Sequence, residues 1–231
     1  MFRYETHCHT KEASRCGKMP GADVARMYKD LGYDGIFVTD HFFNGSSAVD
    51  PSLPWEEKVE VYLSGYENAK KEGEKIGLDV FLGIEFWYHA TEFLVYGPDR
   101  DFLLANPDLD QLDMRQLIDR CHGQDYLCVQ AHPFRQRGYI KTLRLYPDIT
   151  DAVEIVNAAH PAEGHFLFDR RAEAYADSFS LPGTGGSDCH IPNQKYMGGV
   201  FSEEKISGWQ DYKRLLLTRA LTPFRELHLL F

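Results

Sequence analysis

Two pairs of metal-ligand side chains, at opposite ends of the chain, constrain the fold more than any other feature of the sequence. His7 and His9 stand two residues apart near the N-terminus, and Asp188 and His190 repeat that spacing near the C-terminus. In a β-strand the side chains of residues i and i+2 point to the same side, so each pair can present two ligands together. The cysteine inside each pair then points to the other side. We expect a fold that joins the two pairs in one composite metal centre.

Short apolar segments alternate with helical segments along the chain, which is typical of a mostly parallel α/β fold. The pattern predicts strands at Phe2–His7, Gly35–Thr39, Val80–Ile84, Glu92–Tyr96, Tyr126–Gln130, Ala152–Val156, Pro182–Gly185 and Met197–Phe201. It predicts helices at Gly21–Leu31, Trp55–Ile76, Asp110–Cys121, Glu163–Phe179 and Trp209–Ala220. The 231 residues, 43% of them hydrophobic, suffice for one large core, and no linker or repeat divides them. We expect a single domain over residues 1–231.

Polar side chains stand at the ends of these predicted strands. They are His7, His9, Asp40, His41, Glu85, His132, Glu154, Asn157, Asp188 and His190. In parallel α/β barrels the active site gathers at the C-terminal ends of the strands. A barrel would therefore bring this scattered set into one ring.

The composition limits the expected partners and compartment. The formal net charge of −10 makes nonspecific nucleic-acid binding unfavourable, so we expect a small-molecule substrate and no nucleic acid. The five cysteines form no CxxC motif and indicate a reducing, cytoplasmic setting. The chain has no apolar run near the ~18 residues of a membrane span and no signal-peptide pattern after Met1. We therefore expect a cytoplasmic protein without a membrane partner.

In chain order, the strand-end residues stand in the motifs H-C-H, T-D-H, G-I-E, A-H-P, V-E-I-V-N and G-S-D-C-H. Together these motifs resemble the PHP (polymerase and histidinol phosphatase) family, from His7 to about Val200. The resemblance implies a distorted (β/α)7 barrel of the TIM-like type. It also implies two or three divalent metal ions and the hydrolysis of phosphoesters.

The resemblance also implies how the ligands are shared. They would be His7, His9, Glu85 and Asp188 for one ion, Glu85 and His132 for a second, and His41 with His190 for a third. Imidazole ligands favour Zn, Mn or Fe over Mg or Ca. Hydrolysis of a small phosphomonoester would use a hydroxide that bridges two ions about 3.5–4 Å apart and attacks phosphorus. The expected catalytic set is His7, His9, Glu85, His132, Asp188 and His190.

Two positions depart from the family pattern. Many members carry a further His or Asp where this chain has Arg15, and a His where it has Glu92. Glu92 can still bind a metal ion through oxygen, whereas Arg15 stays protonated and cannot. We expect Arg15 to supply positive charge where the third ion or a substrate phosphate would lie. Arg135 and Lys195 follow site motifs in loops and are also expected to bind phosphate.

Three further residues are expected to support the site. Asp40 either binds metal or orients an imidazole as a neighbouring carboxylate. Glu154 and Asn157 close a strand that faces the site, and we expect them to support the ligands rather than to bind metal.

Three alternatives stay open. A 3′–5′ exonuclease or nucleotide phosphodiesterase would use the same site on a different substrate. An amidohydrolase also begins with His-x-His, but it usually bridges its metals with a modified lysine, and Glu85 with the Asp188/His190 pair argues against it. A non-catalytic metal-binding domain is consistent with Arg15 in place of a ligand.

Overall fold

One mixed sheet of nine strands organises the described residues, 1–160 and 165–228, of the computed structural model. The strands are β1 Phe2–Cys8, β2 Gly35–Val38, β3 Asp79–Tyr88, β4 Thr91–Tyr96, β5 Leu127–Ala131, β6 Ala152–Asn157, β7 Gly183–Gly186, β8 Tyr196–Ser202 and β9 Leu221–Leu227. The α-helices are α1 Gly21–Asp30, α2 Trp55–Ile76, α3 Arg100–Ala105, α4 Met114–His122, α5 Arg170–Ser178 and α6 Trp209–Leu217. A 3₁₀ turn at Leu109–Gln111 and a π-helical turn at His165–Asp169 precede α4 and α5.

The sheet curls into a nearly closed barrel. Its strand order is β7-β6-β5-β4-β3-β2-β1-β8-β9, and β7 also packs beside β1, β8 and β9. A parallel bridge joins Cys8 to Cys189, and the His9 amide donates to the Cys189 carbonyl at 3.1 Å. These bonds place the two halves of the predicted composite centre side by side.

The α/β barrel predicted from sequence is confirmed, with two differences. The described residues contain nine strands, compared with seven implied by the family resemblance and eight predicted from the pattern; β4 forms a hairpin with β3, and the unpredicted β9 forms one with β8. Four of the eight strand pairings in this part of the chain are antiparallel, so the sheet is mixed rather than mostly parallel. The hairpin also changes the place of Glu85, which lies within β3 instead of closing it.

Gly186 shows why the end of β7 is rich in glycine. A Cβ atom at this position would lie 2.5 Å from the Cβ atom of His7 and 2.9 Å from Oε1 of Glu154. Contacts this short do not occur between real side chains, so only glycine lets β7 approach β1 and the ligands on it. The glycine motif therefore sets the distance across the barrel at the site.

Helix boundaries follow local signals. The Gln116 backbone amide donates to the Asp113 side chain, and the Asp113 backbone amide donates to Oε1 of Gln116. This capping box starts α4 at Met114, not at Asp110 as predicted. The helix predicted at Glu163–Phe179 is α5 over Arg170–Ser178, and residues 161–164 lie outside the described residues. In the described part of the chain, none of the helices combines the length and the apolar character needed to cross a membrane.

Candidate metal centre

Glu85 lies at the centre of the predicted site, surrounded by four imidazoles. Its Oε1 atom is 3.3 Å from Nε2 of His7 and 3.2 Å from Nε2 of His132. Its Oε2 atom is 3.5 Å from Nε2 of His9 and 2.6 Å from Nδ1 of His41. All five side chains are buried. One carboxylate therefore lies close to four imidazoles that come from three different segments of the chain.

Three more predicted ligands complete the cluster. Oδ1 of Asp188 lies 3.3 Å from Nε2 of His9, and the ring of His190 stacks on the ring of His9 with centroids 4.2 Å apart. Oε2 of Glu92 lies 3.4 Å from Nε2 of His132. The structure thus brings together His7, His9, His41, Glu85, Glu92, His132, Asp188 and His190.

The unpaired atoms of this cluster fit a metal site. Nε2 of His7 and Nε2 of His9 are buried and make no hydrogen bond. A buried polar atom without a partner costs roughly 1–3 kcal/mol, and both atoms face the carboxylates of Glu85 and Asp188. The groups His7–Glu85–His132, His7–His9–Asp188, His9–His41–His190 and His41–Glu85–Glu92 each place three ligand atoms within 4.8 Å of one another. Divalent ions would satisfy these atoms, and the imidazole–carboxylate donor set suits Zn, Mn or Fe.

The backbone holds the ligands in place. Alternation along β1 points His7 and His9 to the same side, while Cys8 packs in an apolar cluster on the other. His132 and Asp188 adopt positive φ angles of 26° and 49°, a conformation that costs about 1–3 kcal/mol for residues other than glycine. Such strain is common at functional sites, and here it falls on two predicted ligands.

Glu154 and Asn157 lie directly behind the ligands, as predicted for supporting residues. Oε1 of Glu154 is 2.9 Å from Nδ1 of His7, and Oε2 accepts the backbone amide of His132 at 2.9 Å. Nδ2 of Asn157 donates to Glu154 at 3.0 Å and to Oδ2 of Asp188 at 3.2 Å. A carboxylate on Nδ1 of a histidine fixes its tautomer and leaves Nε2 free to bind metal. Glu154 therefore aims His7 at the cluster.

Asp40 orients a ligand instead of joining the cluster. Its oxygens accept hydrogen bonds from the Thr10 amide at 2.7 Å, the Thr10 hydroxyl at 2.6 Å and the Ser14 hydroxyl at 2.6 Å. The Ser14 hydroxyl in turn lies 3.1 Å from Nδ1 of His9. Burial raises the pKa of Asp40 to about 6, against the opposing effect of these hydrogen bonds. Of the two predicted roles, this geometry favours the orienting one.

Charges in the cluster are strongly coupled. Burial raises the pKa of Glu85, but the imidazoles of His41 and His7 outweigh it and hold that pKa well below its usual value. Burial lowers the pKa of His7, but Glu154 and Glu85 reverse this and raise it to about 10. Burial and the neighbouring histidines hold the pKa of His9 well below its usual value. In the metal-free protein, protonated imidazoles thus supply the positive charge that Glu85 requires.

The three residues predicted to bind phosphate lie in different places. Arg135 reaches the site and donates a hydrogen bond from Nη2 to Oδ2 of Asp188. Arg15 is exposed and is absent from the described residues that line the cavity beside the cluster. Lys195 is exposed, with its Nζ atom 5.3 Å from the ring centroid of Tyr196. The structure therefore brings only Arg135 of these three to the ligands.

Cys16 is a site residue that sequence reasoning missed. It lines the cavity beside the cluster together with His41 and His190. Burial raises the pKa of its thiol, but contacts with these two imidazoles outweigh burial and lower the pKa to about 6. A single cysteine in a loop belongs to no spaced ligand motif. The only sequence signal that Cys16 lies near the site is its position next to Arg15. Cys16 therefore places a thiol of lowered pKa beside His41 and His190.

The fold is similar to solved structures of PHP-like proteins. One is a two-domain protein of Bacteroides vulgatus that contains a predicted PHP-like metal-dependent phosphoesterase, with a TM-score of 0.66 and 17% identity. The similarity covers 96% of this chain and 64% of that one, so this chain spans less than two thirds of its length. A proposed metal-dependent phosphoesterase of Bifidobacterium adolescentis gives a TM-score of 0.56 at 17% identity, over 94% of this chain and 96% of that one.

A third similar structure is that of an endonuclease. The lesion-specific endonuclease PfuEndoQ of Pyrococcus furiosus gives a TM-score of 0.54 at 13% identity, over 99% of this chain and 58% of that one. No curated protein matches this chain. Residues 168–194, which include Asp188 and His190, match the PHP-associated family PHP_C. This match and the shared fold together confirm the resemblance to the PHP family that the six sequence motifs predict.

Proposed function

We propose that this protein is a metal-dependent phosphoesterase that hydrolyses a small phosphomonoester. The observation that carries the proposal is the Glu85 carboxylate among the imidazoles of His7, His9, His41 and His132, with inward-facing atoms that make no hydrogen bond. Such a donor set suits divalent ions. The PHP-like phosphoesterases with a similar fold support the same reaction class.

The cluster has donors for two or three ions of Zn, Mn or Fe. His7, His9, Asp188 and Glu85 would hold one, Glu85, His132 and Glu92 a second, and His41 with His190 a third. When bound, the ions would supply a deprotonated water at neutral pH and neutralise charge on the phosphoryl oxygens.

The protein's own residues would position the substrate. Arg135 is held at the cluster by Asp188, where its guanidinium can reach a nonbridging phosphate oxygen. Beside the cluster lies a cavity of about 510 Å³, lined in part by Trp87 and Tyr139. Pockets of this size hold small organic molecules. We therefore assign the cavity to the organic part of a small phosphoester and propose no nucleic-acid or membrane partner.

A nucleotide phosphodiesterase or nuclease is the second candidate. The similarity of fold to PfuEndoQ favours it, because that protein is an endonuclease. The net charge of −10 weighs against a long nucleic-acid substrate. The same ligands would serve both reactions, so the substrate alone distinguishes the candidates.

A panel of phosphomonoesters and phosphodiesters tests the proposal. Metal-free protein is reconstituted with Mn, Fe or Zn, and phosphate release is measured beside His132→Ala and the control His122→Ala. His122 is exposed, pairs with Asp151 at 3.1 Å and precedes β5, whereas His132 follows it. We expect metal-dependent release from monoesters that His132→Ala abolishes and His122→Ala retains. Turnover of diesters alone would favour the second candidate, and metal binding without any turnover would overturn both.

A further inference from the structure

The segment that connects β5 to β6 is long and basic. Residues 132–151 contain no helix or strand. They carry Arg135, Arg137, Lys141 and Arg144, and their first acidic residue is Asp148. The chain as a whole has 35 acidic and 25 basic residues, so this concentration of positive charge is local. Loops of this length in compact domains are usually functional.

The basic side chains line a cavity of about 550 Å³. Arg135, Arg137 and Lys141 come from the loop, and Arg171 comes from the first turn of α5. Phe134, Ile140 and Leu143 contribute apolar surface to the same cavity. The described residues that line it include no aspartate or glutamate. The cavity therefore combines four cations with an apolar wall.

Three of these cations have no acidic partner among the described residues. Within the described ranges, no carboxylate oxygen lies within 4.0 Å of the charged groups of Arg137, Lys141 or Arg171. Nζ of Lys141 instead donates to the carbonyl of Gly138 at 2.6 Å. Like charges that share a cavity raise the local potential and attract anions. Arginine and lysine bind phosphate strongly through charge-assisted hydrogen bonds.

Arg135 connects this cavity to the metal centre. It lines the 550 Å³ cavity and also the 510 Å³ cavity that contains His41, Glu92 and His190. It also donates to Asp188, one of the predicted ligands. A substrate held at the cluster can therefore extend past Arg135 into the basic cavity.

We propose that the basic cavity binds a second phosphate group of the substrate, so that the preferred substrate carries two phosphates joined by an organic spacer. The inference rests on the proposed phosphoesterase function. Arg137, Lys141 and Arg171 hold the phosphate that is not cleaved, and the apolar wall contacts the spacer. We assign the second phosphate to a small bisphosphate, and a backbone phosphate of a 5′-phosphorylated oligonucleotide is the alternative that the assay below distinguishes.

Matched substrates test the second subsite. Alkane-α,ω-diol bisphosphates of increasing chain length are compared with alkyl monophosphates of the same length. We expect kcat/KM to be at least about tenfold higher for the bisphosphate, as one good contact of about 1.4 kcal/mol provides. The advantage should peak at one spacer length and fall at high ionic strength, because salt screens exposed charges. A 5′-phosphorylated dinucleotide in the same assay distinguishes the two sources of the second phosphate.

Substitutions in the basic cavity test whether its cations cause the preference for the bisphosphate. Arg137→Ala, Lys141→Ala and Arg171→Ala should each lower kcat/KM for the bisphosphate several-fold more than for the monophosphate. Lys75→Ala is the control, because it removes the same charge from an exposed position at the end of α2, before the N-terminal end of β3. Its bisphosphate preference should equal that of the wild type.

Calorimetric binding of the same pairs separates this inference from the proposed function. If neither substrate is hydrolysed, the phosphoesterase proposal fails. Tighter binding of the bisphosphate, lost in the three cavity variants, would still support the subsite. Equal binding and equal turnover of the two substrates would overturn the inference and leave phosphomonoester hydrolysis intact. An equal effect of Lys75→Ala and the cavity variants would also overturn it.

Discussion

Glu85 and His41 meet at 2.6 Å because the backbone joins their segments at that point. A parallel bridge pairs the two residues: the Phe42 amide donates to the Glu85 carbonyl at 2.8 Å, and the Glu85 amide donates to the Asp40 carbonyl at 3.0 Å. The contact between a central carboxylate and a predicted ligand is thus built by the sheet. We infer that the centre is preorganised before any ion binds.

Glu85→Gln should abolish metal binding at the shared position. The amide keeps the size of the side chain but removes the charge that pairs with the imidazoles of His7 and His41. We expect phosphate release to fall by at least about 100-fold, because two ions lose their common ligand. Metal content by elemental analysis and steady-state kinetics measure this. The exposed Glu203→Gln variant is the control, and unchanged metal content in Glu85→Gln would refute the bridging role.

Glu154→Gln should weaken metal binding without removing a ligand. The carboxylate lies 2.9 Å from Nδ1 of His7 and fixes the ring so that Nε2 faces Glu85. Loss of such a partner typically costs 10–100-fold in metal affinity. A metal titration of activity should show this loss in affinity and recovery of most of kcat at saturating metal. Wild-type affinity in the variant would mean that Glu154 does not position His7.

The clustering of these side chains was predictable because they lie in short motifs with fixed spacing. The i, i+2 pairs His7/His9 and Asp188/His190 follow directly from strand geometry, and the structure brings both pairs to one place. The added strand β9 was not predictable in the same way, whereas the pattern does predict β4 at Glu92–Tyr96. Pro223 stands inside β9, and proline argues against a strand, so the segment Leu221–Leu227 carried a weak strand signal.

Tertiary contacts decide the remaining site features. The roles of Arg15 and Cys16 depend on which of two adjacent side chains turns inward, and the loop sequence does not encode this. The structure leaves Arg15 exposed and points Cys16 toward His41 and His190. The orienting role of Asp40 likewise depends on Ser14, which no ligand motif contains. Such details arise from packing between distant segments.

Cys16 should contribute sulfur to a metal ion held by His41 and His190. Protein loaded with Co(II) is expected to show a near-ultraviolet thiolate-to-cobalt charge-transfer band. The Cys16→Ser variant should lose this band but keep the cobalt that is bound at the other positions. The soft thiolate should also favour zinc at this position. Cys121→Ser is the matched control, because this cysteine is buried far along the chain in an apolar cluster. An identical spectrum in Cys16→Ser would exclude ligation.

Glu5 should make the metal-free protein less stable as the pH rises. Burial raises the pKa of Glu5 from 4.5 to about 7, while hydrogen bonds from Ser187 and His7 oppose this only in part. Between these two values the unfolded chain releases a proton that the folded protein keeps, so the free energy of unfolding decreases with rising pH and then levels off. The side chain of the Glu5→Gln variant does not titrate, so this contribution to the pH dependence of unfolding is absent from the variant.

Denaturant unfolding of both metal-free proteins from pH 4 to 8 measures this effect. The unfolding free energy of Glu5→Gln minus that of the wild type should rise by up to about 1.4 kcal/mol per pH unit inside the window. It should level off well above pH 7, once folded Glu5 is fully ionised. A difference that does not change with pH would show that Glu5 is not held protonated.

The most direct test of the account is the initial rate of phosphate release as metal is added in equivalents to metal-free protein. The account predicts no release without metal and a rise that saturates after two or three equivalents of Zn, Mn or Fe. The His132→Ala protein should stay inactive throughout the titration. Release that is independent of metal, or saturated metal binding with no release from any phosphomonoester, would contradict the central claim.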